Sequence, residues 1–377
     1  MQQNRIKHSN KIMFCGYGIM HLYKKILIII AGLIMTESIV YSVNEDIENL
    51  FDEHGWRETV TSVDTSLFYA PHFKDGEYFN PWMKMDRKSF FTVLKWRFFT
   101  EKPVYEKNEE NYLPEVKQLT SGYINSHDNF FSWIGHASIL IKASGKVIVV
   151  DPVLGEIPFV RKRRSKAALT YDEASKIEGN VTILITHNHY DHLDEKSIKS
   201  FPDNAVFIVP SGLSHEIRNM RGENSVIHEI DWWNETALAE IKITFLPSQH
   251  WSRRLFREVN SSLWGSFLID TGQKKIFICG DTGYSGLFRE FAKKYKNIDY
   301  AFMSAGAFHP RWFMHYAHQD DSEAIQAFYD LRAKKMVPIH WGAFRLGNEP
   351  EGYPAIHIKK KLPESLILNP GEIIELQ

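Results

Sequence analysis

The chain has 377 residues, 44% of them hydrophobic and 14% aromatic, which is enough apolar mass for one large or two ordinary folded domains and excludes a disordered chain. A formal net charge of −1 excludes a global attraction to nucleic acid or another polyanion, so an electrostatic partner must be met by a local cluster. The two cysteines, Cys15 and Cys279, exclude a disulfide framework and leave the redox compartment open.

In chain order, Lys24 and Lys25 precede the apolar run 26–35, the shape of an export signal with a charged n-region and a short h-region. Apolar residues resume at 39–41 beyond Glu37, which also permits a membrane anchor. The expected organisation is a signal or membrane-anchor segment at 1–44, a wrapping segment at 45–121 and a catalytic domain at 122–377. The first segment predicts a membrane-associated or exported protein and leaves the cytoplasmic face open. Inside the wrapping segment, "RKSFFTVLKWRFF" (87–99) predicts a short helix carrying Phe90, Phe91, Leu94, Trp96 and Phe98 among Arg87, Lys88, Lys95 and Arg97. Such a helix lies in a bilayer interface or packs its aromatics on the main domain.

From residue 130 the rhythm changes to short apolar runs punctuated by turn residues. They predict strands at 130–134, 138–143, 146–150, 181–186, 205–209, 241–246, 263–269, 275–279, 300–304 and 336–339. Helical patterns fall at 284–296 and 322–333, the second opened by the capping-box sequence Asp320-Asp321-Ser322-Glu323. Many strands, few helices and polar residues at strand ends predict an α/β fold of two sheets face to face with helices outside, a four-layer αββα sandwich. There is no internal repeat and no low-complexity tract.

The chemistry concentrates in "ITHNHYDHLD" (185–194), where His187, His189, Asp191 and His192 follow a predicted strand. Burying such groups unpaired costs several kcal/mol, and neutral imidazoles and carboxylates are ordinary zinc ligands. Four donors in so short a stretch exceed the need of one catalytic ion and point to two. His250, Asp281 and His340 each follow another apolar strand and complete the candidate set. Donors of this type without cysteine suit two zinc ions and tolerate iron or manganese. A pair of divalent ions can share a hydroxide, lower its pKa and stabilise both oxygens of a phosphodiester displacement.

This pattern resembles the metallo-β-lactamase superfamily. The resemblance implies that His187, His189 and His250 hold one metal, that Asp191, His192 and His340 hold the other, and that Asp281 bridges them. Further motifs, "FNPW" (79–82), "WIGHAS" (133–138), "DPVL" (151–154), "QHWSRR" (249–254), "CGDTGYS" (279–285), "PRWFM" (310–314) and "IHWGAF" (339–344), are similar to the branch of N-acyl-phosphatidylethanolamine-hydrolysing phospholipase D. That branch implies a membrane phospholipid substrate, cleaved to an N-acylethanolamine and phosphatidic acid by a metal-bridging hydroxide, with Asp281 and Asp191 in the catalytic centre. It also implies a phosphate-contact or acid role for His318. A lactone or soluble phosphodiester substrate on the same fold is the alternative. Departures from the branch are His309 in place of an acidic residue, "GHAS" in place of "GHAT", and the apolar N-terminus.

Asp151 and His136 stand at strand ends, where they support metal ligands or serve the fold alone. The run Arg161-Lys162-Arg163-Arg164 with Lys166 reads as a solvated face or as a patch for an anionic membrane surface. Nucleic acid is not an expected partner, and a homo-oligomer is compatible with the sequence.

Overall fold

The computed structural model describes residues 51–99, 103–255 and 257–376; the segment expected at 1–44, with Cys15, lies outside them. The chain divides into two compact units, Met1–Phe51 with Arg87–Lys102, and Asp52–Asp86 with Pro103–Gln377. The larger unit opens with α1 (Glu53–Thr61), capped by the Asp52 side chain on the Gly55 N–H, and a small hairpin of β1 (Phe73–Lys74) and β2 (Glu77–Tyr78). In the smaller unit, α2 (Phe90–Leu94) starts at Ser89, whose hydroxyl accepts from the Thr92 N–H, and runs on as a π-helical turn, Lys95–Phe99. The helix expected over 87–99 therefore begins only at Phe90.

Two sheets dominate the larger unit. After α3 (Lys107–Asn111) and α4 (Ser121–Ser126), the first sheet is built from β3 (Phe130–Gly135), β4 (Ser138–Ala143), β5 (Lys146–Val150), β6 (Asn180–Leu184), β7 (Val206–Pro210) and β8 (Val226–Ile230). The second takes β9 (Glu235–Leu238), β10 (Ile241–Leu246), β11 (Ser266–Asp270), β12 (Lys275–Ile278), β13 (Tyr300–Ser304) and β14 (Lys335–Ile339) in spatial sequence, and β15 (Ile373–Glu375) returns to pair with β3. Each sheet is antiparallel at one end and parallel at the other, with β5–β8 parallel in the first and β12–β14 parallel in the second.

Side-chain alternation shows why the sheets stack. In β4 and β5, Ile139, Ile141, Ile148 and Val150 belong to the cluster shared with Phe245, Phe267, Phe302 and Val337 of the other sheet, while Leu140, Val147 and Val149 face the opposite way. A period of two puts successive residues on opposite faces, so both faces of this sheet are apolar and both need cover. The outer face receives Ala174 of α5 (Tyr171–Ser175), Ile198 of α6 (Glu195–Ser200) and Ile217 of α7 (Ser214–Arg221). The second sheet is covered by Leu287, Phe288 and Phe291 of α8 (Leu287–Lys294). Beyond the short α9 (Arg311–Met314), Ala324, Ala327 and Phe328 of α10 (Asp321–Leu331) and Ile358 of α11 (Tyr353–Lys361) join the same cluster. The result is the four-layer αββα sandwich, with burial worth about 1.5–3 kcal/mol per large apolar side chain. The Asp320–Glu323 capping box at α10 is present in both directions.

Parallel register aligns strand ends, and strand ends build the site. Val150 pairs with Leu184, so the Asp151 N–H donates to the Leu184 carbonyl and Asp151 sits beside Thr186. Ser304 likewise pairs with Ile339, which brings the segments after β12, β13 and β14 to one edge. His136, Asp151 and His340 all turn there with positive φ, 55°, 44° and 64°. Left-handed backbone costs a non-glycine residue on the order of 1–3 kcal/mol and concentrates at functional sites.

Candidate metal centre

The loop after β6 is held before any ligand is considered. The Asp151 carboxylate accepts from the Thr186 N–H at 2.7 Å, from the Thr186 hydroxyl at 2.6 Å and from His192 Nδ1–H at 2.7 Å. His187 Nδ1–H in turn donates to the Thr186 hydroxyl at 3.0 Å. On the opposite sheet, His250 Nδ1–H donates to the Ala317 carbonyl at 3.0 Å. These bonds fix the tautomers, so the Nε2 lone pairs of His187, His192 and His250 point inward, as oriented ligands require.

Two groups of donors result, His187, His189, His250 and Asp281 in one, His136, Asp191, His192 and His340 in the other, each with ligand atoms within 4.8 Å of one another. In the first, His189 Nδ1 lies 2.9 Å from His187 Nε2 and 3.2 Å from His250 Nε2. Burial holds His187 and His250 well below the usual imidazole range and His189 down to about 4. Converging neutral lone pairs repel one another, and a cation among them is the natural complement.

In the second group, His340 Nε2 is 3.2 Å from Asp191 Oδ2 and 3.2 Å from Asp281 Oδ1, and His192 Nε2 is 3.2 Å from Asp281 Oδ2. Burial, the largest influence, opposes charge on both rings. Asp281 and Asp191 outweigh it, raising His340 to about 9 and His192 well above its ordinary value. Protons shared between imidazoles and carboxylates thus occupy the place that suits a divalent ion. The donor set fits a metal pair, because Asp281 Oδ2 also lies 3.9 Å from His187 Nε2 and from His250 Nε2. One carboxylate, steadied by the Ser304 hydroxyl at 3.3 Å, reaches both groups.

All seven metal candidates of the sequence converge here. His318 joins them, with Nδ1 buried, unpartnered and 3.9 Å from Asp281 Oδ2, and burial takes the ring down to about 4. His136 is closer to the centre than a strand-end role required, its Nε2 3.1 Å from Asp191 Oδ2. Cys279 contributes no nucleophile, since burial pushes its thiol up to about 12.

Several supports lie in motifs to which the sequence assigned no role. Asn80 of "FNPW" donates to the His250 carbonyl at 3.2 Å and to the Tyr316 hydroxyl at 2.7 Å, while Trp82 Nε1 donates to Gln249 Oε1 at 3.3 Å. Arg254 of "QHWSRR" donates from Nη1 to the carbonyls of Asn188 and Leu193 at 2.9 and 2.7 Å, clamping the histidine-rich loop. Before Asp281, Gly280 has φ +59°, and a Cβ there would meet the Gly265 carbonyl oxygen at 2.8 Å. The basic run is not uniformly solvated: Arg163 turns inward to the carbonyls of Val153 and Ser165 and lies over Phe344.

The beta-lactamase superfamily domain profile matches residues 146–341 of this chain, a span that contains the seven converging donors. The chain belongs to the beta-lactamase superfamily. It is a metal-dependent hydrolase of that superfamily, with two candidate metal-binding clusters. It is similar to N-acyl-phosphatidylethanolamine-hydrolyzing phospholipase D 1 of Caenorhabditis elegans, 28% identical over 276 residues that cover 68% of this chain and 76% of the relative. The mitochondrial enzyme of that name from Saccharomyces cerevisiae is 29% identical over 229 residues, 58% of this chain and 48% of its own length. Among solved structures, a metallo hydrolase from Ignicoccus hospitalis covers 65% of this chain and 97% of its own at 19% identity, with a TM-score of 0.52. At that identity the likeness shows the superfamily fold alone.

Proposed function

We propose that this superfamily member is a zinc-dependent phosphodiesterase of the phospholipase D type. It hydrolyses N-acyl-phosphatidylethanolamine in a membrane to an N-acylethanolamine and phosphatidic acid. The observation that carries the reading is Asp281, whose two carboxylate oxygens reach four histidines of the two donor groups within 3.2–3.9 Å. His187, His189 and His250 would hold one ion, Asp191, His192 and His340 the other, and Asp281 both. Such a pair, when bound, supplies an activated water and positive field for the attacking and leaving oxygens of a phosphodiester.

The chain's own residues account for the remainder. Asp151 keeps His192 in one tautomer and orientation, and His136 Nε2 holds the Asp191 carboxylate in place at 3.1 Å. His318, neutral and with an unpartnered ring nitrogen beside Asp281, contacts a phosphoryl oxygen or passes a proton to the leaving alkoxide. The substrate class rests on the names of the two relatives and on the motifs outside the metal set. The protein works at a membrane surface, a reading supported by the apolar run at 26–35 and the exposed basic residues Arg161 and Lys162.

A direct comparison of substrates tests this. Purified protein with two equivalents of zinc is given vesicles containing N-acyl-phosphatidylethanolamine, an acyl lactone, and bis(p-nitrophenyl) phosphate. The lipid is expected to show the highest kcat/KM, with N-acylethanolamine and phosphatidic acid detected by mass spectrometry. Lactone turnover without lipid cleavage would overturn the substrate and retain the hydrolase.

A further inference from the structure

The rim of the metal centre carries an apolar feature that catalysis does not use. Tyr190 stands between His189 and Asp191, and two loops distant in sequence meet on its ring. From one side Phe159 packs edge-on at 5.7 Å between centroids; from the other, the Arg254 guanidinium lies 4.0 Å from the ring centroid and the Leu255 N–H donates to the Tyr190 hydroxyl at 3.2 Å. Yet Phe159 remains 73% exposed and Leu255 54% exposed. Phe159 also has φ 67°, a conformation that a bulky residue adopts rarely. Tyr190 touches the small cluster of Val153, Ile157 and Phe344, and Phe344 packs edge-on against His136 at 5.1 Å. Apolar contact is therefore continuous from the metal centre to Phe159, and Leu255 is tied to the same Tyr190 ring through its backbone.

Exposed cations flank this feature, with the exposed carboxylates Glu156 and Glu258 also near it in sequence. Arg161, Lys162 and Arg253, next to the two exposed apolar residues in sequence, are exposed and take part in no ion pair among the described residues. Exposed apolar side chains ringed by unpaired cations match the boundary between headgroups and acyl chains of an anionic bilayer.

We infer that Phe159 and Leu255, flanked by Arg161, Lys162 and Arg253, form a docking surface that inserts into an anionic phospholipid bilayer and sets the metal centre against it. The inference rests on the lipid-substrate reading for its purpose but not for its test. Because Tyr190 joins the surface to the histidine-rich loop, docking fixes the distance of the centre from the phosphates of the headgroup layer.

The test is local, so that binding by any other part of the full chain does not mask it. In a Cys15→Ser background, with Cys279 buried, Phe159→Cys and Leu255→Cys are labelled with bimane. A third label goes on Val226→Cys, which is 51% exposed on the sheet-edge strand β8. Each is mixed with substrate-free vesicles of phosphatidylcholine and phosphatidylglycerol containing nitroxide-labelled lipid. Labels at 159 and 255 are expected to be quenched at least about threefold more than the label at 226. Quenching should weaken at high salt, where exposed charges are screened, and weaken again in Arg161→Glu with Lys162→Glu. Equal quenching at the three positions would overturn the docking surface. So would a bimane shift at 159 that follows protein concentration without vesicles, because a second copy would then cover the patch. Quenching without N-acyl-phosphatidylethanolamine turnover leaves the surface standing and removes the substrate; turnover without quenching does the reverse.

Discussion

Asp281 touches more of the site than any other residue of the larger unit's metal groups, and its replacement has the sharpest expected effect. Asp281→Asn keeps the shape and removes the charge that His192 and His340 lean on. Hydrolysis should fall by more than the roughly 10–100-fold typical of losing an outer support, with far-UV circular dichroism unchanged and metal content below two per chain by elemental analysis. Activity within about tenfold of the parent would sink the bridging role, since an outer partner alone costs that much. Away from the centre, Glu349 offers a pH prediction. Burial raises its carboxyl to about 7, against backbone N–H bonds from Phe308 and His309 that favour the charged form. A carboxyl raised in the folded state contributes stability that is fully present below its unfolded value of 4.5 and is lost as pH rises through about 7. Thermal melts should therefore show stability declining across that window, and Glu349→Gln should flatten this part of the profile. An unchanged slope in the variant would assign the decline elsewhere.

At the scale of elements, the buried strands were the legible ones. β4, β5, β10 and β13 have the bounds that their apolar runs predict, because both faces are covered and nearly every residue is buried. Of the missed strands, β1 and β2 are two residues each, and β8, β9 and β15 lie at sheet edges and are largely exposed or half-buried, so their sequences carry no such run. The seven metal candidates were legible because each follows a buried strand. Asp151 and His136 were legible as candidate supports from their place at strand ends, but their partners were not, because register sets them: Asp151 meets His192 only since β5 and β6 run parallel. "FNPW" is a similar case. Asn80 ties a segment before the sandwich to the ligand loop, and Asn80→Ala leaves the buried His250 carbonyl and Tyr316 hydroxyl without that donor. The expected loss is about 1–3 kcal/mol, seen as a lower urea midpoint, together with weaker metal retention during dialysis against a chelator. A variant as stable and as metal-retentive as the parent would reduce Asn80 to packing.

For the whole molecule, the metal pair and the fold are coupled. The two sheets contribute donors from opposite layers, His187 to His192 after β6 and His250, Asp281 and His340 after β10, β12 and β14, so bound ions pin the sandwich across its open edge. Ions that bind the folded state at about a thousand times their Kd add about 4 kcal/mol, which corresponds to a Tm shift of roughly 6 °C for a unit of more than 300 residues. Stripping the metal should lower Tm by that order, and zinc should restore it; a Tm indifferent to chelation would mean that the donors hold no structural ion. The proposal that ties all scales together is hydrolysis at phosphorus of N-acyl-phosphatidylethanolamine. It is tested most directly by turnover in oxygen-18 water, with both products analysed by mass spectrometry. The account predicts one labelled oxygen on phosphatidic acid, an unlabelled N-acylethanolamine, and no turnover after chelation. Label on the N-acylethanolamine, or the same products from metal-free protein, would contradict it.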